Sequence, residues 1–138
     1  LHITGLEDDG LTIALEELSN RTRAVYDVDC RLVCRGAIRL PGEAANQLYR
    51  IAQEAVTNAV RHAEPSCVSI SLFQNDHRVR LTIEDDGRGF KPGRAACGGM
   101  GLHIMRYRAR VLSAGLQVDS ERGHGTRVVC ALPLVRDR

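Results

Sequence analysis

The stretch Asp85-Asp86-Gly87-Arg88-Gly89 ends a hydrophobic run with a carboxylate and follows it at once with glycines. A carboxylate there can accept a hydrogen bond from an exocyclic amine, and glycines let a flat ring approach the backbone. Two further glycine clusters follow, Gly98-Gly99-Met100-Gly101 and Gly123-His124-Gly125-Thr126. Gly99 and Gly101 precede a helical pattern, where free N–H groups and the positive dipole end favour phosphate. Glu54, Asn58 and His62 recur every four residues and so share one helix face, with Arg61 one step round. An oxygen ligand of the Asn type suits Mg²⁺, which is commonly held by few protein groups plus phosphates. Taken singly, each feature reads better as plain structure: tight turns for the glycines, a solvated helix face for the ridge. Taken together, the residue types suit a polyanion with a base attached.

Both classical phosphate motifs are missing. There is no GxxxxGK[ST], and Gly99-Met100-Gly101 follows no strand and lacks the third glycine of a dinucleotide fingerprint. Any nucleotide site must therefore be built by other elements. Leu11, Ala14, Leu15 and Leu18 recur at helical spacing after the helix-start residues Asp8, Asp9 and Gly10, predicting a first helix to about Tyr26. Alternation from Asp29 to Arg35 predicts a strand, with Cys30, Leu32 and Cys34 on one side. Pro41 suits the first turn of a second helix. Its apolar stripe runs through Leu48, Ile51, Ala55 and Val56, and Pro65 forces its end.

Two alternating segments then follow, Val68-Ile70-Leu72 and Val79-Leu81-Ile83, joined by the turn residues Asn75-Asp76. From Asp85 to Gly101 the chain holds six glycines and a proline, which predicts a loop. A third helix is expected over Gly101 to Ala114, closed by Gly115. A second hairpin is expected over Leu116 to Ser120 and Thr126 to Leu134. Strands grouped in hairpins argue for α+β: a two-layer sandwich with three main helices on one face of a mixed, mostly antiparallel sheet.

The 138 residues fit one domain spanning 1–138. With 43% hydrophobic and 26% charged residues, the chain is not a disordered one. Lys and Arg number 19 against 17 Asp and Glu, too balanced for a duplex-DNA binder, so no direct nucleic-acid partner is expected. No apolar run approaches the length of a membrane span, so no membrane contact by this chain is expected. It begins at Leu1 rather than Met and is read as a piece of something longer, whose full-length form can carry a membrane anchor. Five cysteines with no CxxC pair argue against a disulfide framework and for a reducing, cytoplasmic setting. Cys97 differs from the rest in lying within the glycine-rich loop.

In order and spacing, these segments resemble the ATP-binding catalytic domain of bacterial sensor histidine kinases, in the superfamily shared with DNA gyrase, MutL and the heat-shock chaperone ATPases. Tyr49 to Ala63 (YRIAQEAVTNAVRHA) resembles the N box. Asp85-Asp86-Gly87-Arg88-Gly89-Phe90 resembles the first glycine box, Gly99-Met100-Gly101-Leu102 the second, and Gly123-His124-Gly125-Thr126 the third. The wording of the N box, Leu6 to Leu18 and Gly101 to Arg106 are most similar to the nitrate-sensor and desaturase-sensor subfamily, which signals to LuxR-type response regulators. The resemblance implies the Bergerat ATP-binding fold, with ATP and Mg²⁺ as ligands.

It also implies roles. Asp85 would bond the adenine amino group, while Gly87 and Gly89 leave room for the base and shape the entry of a lid. Asn58 would hold Mg²⁺, with Arg61 and His62 near the phosphate tail. Gly99 and Gly101, with Met100 and Leu102 between and after them, would let the lid close over the β- and γ-phosphates. Gly125 belongs to the third box, and its neighbour Thr126 would join the network around Asp85 and the adenine. Glu54 is read as a metal-site or water-network residue, with a base role as the alternative. The lid, about Lys91 to Gly99, is expected to be mobile without ligand.

The family's phosphoacceptor histidine sits on a dimerising helical hairpin that precedes this domain. His2, His77, His103 and His124 stand in the wrong contexts for that role. The chain is therefore expected to bind ATP and donate its γ-phosphate to a histidine supplied by a separate domain, to meet its response regulator through the full-length kinase, and not to autophosphorylate efficiently alone. Rival readings are a serine kinase of the anti-sigma-factor type, an ATPase of the MutL or gyrase type, and a degenerate nucleotide-binding scaffold.

Overall fold

A computed structural model describes residues 10–89 and 99–134. Its element order is α1 (Gly10–Tyr26), β1 (Asp29–Arg35), α2 (Gly42–Asn58) continued by a π-helical turn (Ala59–Ala63), β2 (Cys67–Gln74), β3 (Arg78–Asp85), α3 (Gly99–Val111), β4 (Gly115–Glu121) and β5 (Gly125–Pro133). The five strands form one sheet in the order β1-β2-β3-β5-β4. β1 pairs with β2 in parallel, because α2 lies between them in the chain; the other three pairings are antiparallel. This is the expected α+β sandwich with a mixed, mostly antiparallel sheet.

Period-two alternation sorts the strand residues. Val68, Ile70 and Leu72 of β2, Val79, Leu81 and Ile83 of β3, and Val128, Cys130 and Leu132 of β5 are buried on the face that meets the helices. The helices bring Leu11, Leu15 and Leu18, then Leu48, Ile51 and Ala52, then Met105 and Ala109 into the same core. Cys30 and Cys130 are fully buried as small core residues, and burial pushes the Cys130 thiol up to about 11. Cys34 and Cys67 are half-buried, while Cys97 lies outside the described residues.

Three details differ from the sequence expectations. Pro41 is the residue before α2 rather than within its first turn, and its carbonyl accepts the Ala45 N–H at 3.0 Å. α2 does not stay α-helical to its end: its last turn widens to a π-turn, and Glu64 takes a left-handed conformation just before Pro65. A residue before proline is sterically excluded from the α region, which explains the stop. π-turns inside α-helices concentrate at functional sites.

The third difference concerns Gly115, which does not close α3 but opens β4. The left-handed closing residue is Ser113 (φ 54). The Ala114 N–H reaches the Ala109 carbonyl at 2.9 Å and the Ser113 N–H reaches Arg110 at 3.0 Å, the paired bonds of a Schellman closure. A side chain in this conformation costs roughly 1 kcal/mol that glycine avoids. Ser113→Gly should therefore raise the unfolding free energy by about 0.5–1 kcal/mol, measurable by denaturant titration.

Candidate nucleotide-binding site

The cleft lies between α2, α3 and the β3-β5-β4 part of the sheet and is open to solvent. Its walls are apolar: Ile83 and Val128, paired across β3 and β5, with Leu102 and Met105 from α3. Ala55, Ala59 and Ala63 form its α2 side, and their small side chains leave the space open. Polar groups converge on it from both sides, Asp85 and Thr126 from the sheet, Asn58 and His62 from α2.

Asp85 is the last residue of β3 and faces Thr126 across the ladder. It is only 9% exposed, and its Oδ1 accepts the Gly87 N–H at 2.8 Å. Burial raises its carboxyl above the usual carboxylate range, against the lowering effect of the Gly87 and Thr126 backbone N–H groups. The adjacent Asp86 has a different task. Its Oδ1 accepts the backbone N–H groups of Ser66 (2.8 Å) and Cys67 (2.9 Å), fixing the start of β2.

The glycine loop is tied to the end of α2. Arg88 donates its backbone N–H to the Ala63 carbonyl at 2.8 Å and its Nη2 to the His62 carbonyl at 2.9 Å. These carbonyls are among the last of the helix, which lack partners within it. Gly87 packs on the same turn, where an added Cβ would fall 2.5 Å from the Ala63 oxygen. Thus the segment carrying Asp85 and the turn carrying His62 are fixed relative to each other.

α3 begins at Gly99, two residues earlier than expected, so Gly99, Met100, Gly101 and Leu102 form its first turn rather than precede it. The first N–H groups of that turn have no partner within the helix, and they lie at its positive end. Gly101 sits against α2 so closely that a Cβ would meet Asn58 Oδ1 at 2.9 Å, Asn58 Nδ2 at 2.5 Å and Glu54 Oε1 at 2.7 Å. Two side-chain oxygens, one carboxylate and one amide, therefore lie within 3 Å of a single point beside the helix start.

Not every residue of the sequence motifs reaches the cleft. Asn58, His62, Asp85, Gly89, Leu102 and Thr126 line it. Glu54 and Gly101 stand beside Asn58 and outside the lining. Arg61 is exposed and does not line the cleft; Gly87 serves the contact with Ala63 rather than opening space for a ring. Gly125 borders a shallower groove beyond β5. The surroundings of Met100 and the lid segment 90–98 lie outside the described residues. The sequence reading missed Ala55, Ala59 and Ala63 as site residues, although their spacing of four parallels the Glu54–Asn58–His62 ridge. It also missed Arg88, whose partners are carbonyls that no sequence pattern reveals.

Residues 43–136 match the family model described as histidine kinase-, DNA gyrase B-, and HSP90-like ATPase. The chain belongs to this family. It is an ATP-binding domain of the sensor histidine kinase type. It is 34% identical over 96% of its length to the sensor histidine kinase MctS of Rhizobium johnstonii. It is also 34% identical over 90% of its length to the nitrate/nitrite sensor protein NarX of Escherichia coli. The chain spans 30% and 21% of those two proteins' own lengths. Among solved structures, the histidine kinase domain of a blue-light activated kinase from Erythrobacter litoralis superposes with a TM-score of 0.73. That match is 25% identical and covers 96% of this chain and 65% of the other. No described helix is long and apolar enough to cross a membrane.

Proposed function

We propose that this chain is the catalytic part of a two-component sensor kinase, binding Mg-ATP and donating the γ-phosphate to a histidine on a separate dimerising domain. The observation that carries the reading is the placing of groups around one cleft: a buried acceptor-only carboxylate, Asp85, on its sheet side, and Asn58 and His62 on its α2 side. The apolar walls between them suit a purine ring. Asp85 accepts the hydrogen bond of the adenine amino group, and Thr126 stands beside it. His62 stands on the phosphate side, and Arg61, exposed on the same turn, is available to the phosphate tail once the lid closes.

The residues present fit a Mg²⁺ ion. Among the described residues no group of three His, Cys, Asp or Glu is arranged to hold a metal. Mg²⁺, however, is usually held by one or two oxygen ligands plus the substrate's phosphates. Asn58 Oδ1 supplies one such oxygen, with the Glu54 carboxylate beside it. A bound Mg²⁺ would neutralise charge on the phosphates. The first turn of α3, Gly99 to Leu102, brings N–H groups that have no partner within the helix to the same place. In the transfer the bond between the γ-phosphorus and its bridging oxygen breaks, a bond to the acceptor nitrogen forms, and ADP leaves. Such chemistry needs chiefly positioning and charge stabilisation.

The acceptor would come from the dimerising domain of the full-length protein, and a response regulator would then take the phosphoryl group. ATP and that regulator place the domain in the cytoplasm. Mixing the chain with Mg-ATP and a separately produced acceptor domain should yield an acid-labile, base-stable phosphohistidine on the acceptor. Phosphoserine on a small protein substrate would instead favour the serine kinase reading. Asn58→Ala should weaken ATP affinity about tenfold in Mg²⁺ and much less in EDTA. An equal loss in both conditions would remove Asn58 from the metal site.

A further inference from the structure

The nucleotide reading leaves Arg88, between Gly87 and Gly89, without a task. It does not line the cleft, yet its backbone joins three segments that do or that border it. Its N–H donates to the Ala63 carbonyl at 2.8 Å, and its own carbonyl accepts the Gly123 N–H at 2.6 Å. Both bonds belong to the main chain and do not depend on the side chain. The guanidinium makes separate contacts: Nη2 donates to the His62 carbonyl at 2.9 Å and lies 3.4 Å from Glu64 Oε1. The side chains of that ion pair are 66% and 76% exposed, so the pair itself is worth little. The bond to the His62 carbonyl remains.

That carbonyl belongs to the final turn after α2, where carbonyls have no partner further along the helix. The turn is π-helical, so the side chains of residues 59–63 point elsewhere than a continued α-helix would send them. The His62 side chain lines the cleft, and the guanidinium holds the peptide group beside it. The base end has its own support, since Asp85 is fixed by the β3 ladder and by the Gly87 N–H. We propose that the Arg88 guanidinium is a positioning residue for the phosphate end of the site. It keeps His62 turned toward the triphosphate without itself touching the nucleotide. The inference rests on the nucleotide reading above and adds a residue to it.

Amide chemical-shift titrations with a non-hydrolysable ATP analogue and with adenosine, which carries no phosphate, test this in the wild type, Arg88→Met, His62→Ala and the double variant. Arg88→Met keeps both backbone bonds and much of the side chain's length. It should lower affinity for the analogue about fivefold, the effect of one hydrogen bond, and leave adenosine binding almost unchanged. In the His62→Ala background the same change should cost almost nothing further, because the group it acts through is gone. Arg88→Lys, which can still donate to the carbonyl, should retain most of the wild-type affinity. Arg88→Gln, too short to reach the carbonyl, should repeat the loss and serves if methionine here unfolds the chain. An unchanged analogue affinity in Arg88→Met, or an equal fall for analogue and adenosine, overturns the proposal and leaves the ATP reading intact. So does a loss that persists in full without His62, which would make Arg88 a direct phosphate contact. A wild type that binds neither ligand overturns both readings.

Discussion

Asp85→Asn should lower nucleotide affinity about a hundredfold while leaving the unliganded fold at least as stable as the wild type. A hydrogen bond to a charged group is worth roughly 1.5–3 kcal/mol, or one to two orders of magnitude. The asparagine amide can also turn a donor toward the donor of the base, which adds to the loss. The bond to Gly87 is kept, because an amide oxygen can still accept the N–H that Asp85 Oδ1 accepts at 2.8 Å.

The stability effect follows from the direction of the Asp85 shift. Burial raises its carboxyl in the folded chain, so between the unfolded value of about 3.9 and the raised value the native state holds more protons than the unfolded one. Stability from this group then falls as pH rises through that window and stays lower at neutral pH. Asparagine removes that cost. The thermal midpoint of the unliganded variant at pH 7 should equal or exceed the wild type's, with the difference closing below about pH 3.9. The wild type should also lose affinity on acidification at a higher pH than an ordinary carboxylate would dictate, a dependence that Asp85→Asn abolishes. Scanning calorimetry and titrations across pH measure both; a strongly destabilised variant would make Asp85 a structural residue.

Gly125→Ala should have the largest effect on the fold. Gly125 has φ 84, and a Cβ there would sit 2.0 Å from the backbone oxygen of Asp85. The conformational strain of a non-glycine residue costs about 1–3 kcal/mol. The overlap is with main chain, which cannot swing aside as a side-chain tip can. We expect a loss of about 3 kcal/mol or more, lowering the thermal midpoint by roughly 10 °C. Nucleotide affinity should fall with it, because the strand that carries Asp85 is the one displaced. Gly115→Ala is the control: nothing lies within 4 Å of its added Cβ, and the midpoint should hardly move.

Much of this was legible in the chain because its signals are local. Alternation in 68–72 and 79–83 marked a hairpin, the Leu11-to-Leu18 spacing a helix, and Asp85 followed by Gly87 the end of a strand with a polar task. What escaped depends on partners distant in sequence. Ser113 takes the left-handed place that composition assigned to Gly115, because α3 ends earlier than its apolar spacing suggests. The widening of α2 at Ala59–Ala63 goes with the loop at Arg88, which takes up the carbonyls of His62 and Ala63. Gly87 reads as open space for a ligand until its contact with Ala63 is seen.

The central claim is a Mg²⁺-dependent ATP site anchored by Asp85. Calorimetric titration of the chain with a non-hydrolysable ATP analogue, with and without Mg²⁺, tests it most directly. The expected result is micromolar-range binding that strengthens with Mg²⁺ and is lost in Asp85→Asn. Binding of equal strength in the folded Asp85→Asn variant, or none in the folded wild type, would contradict the account.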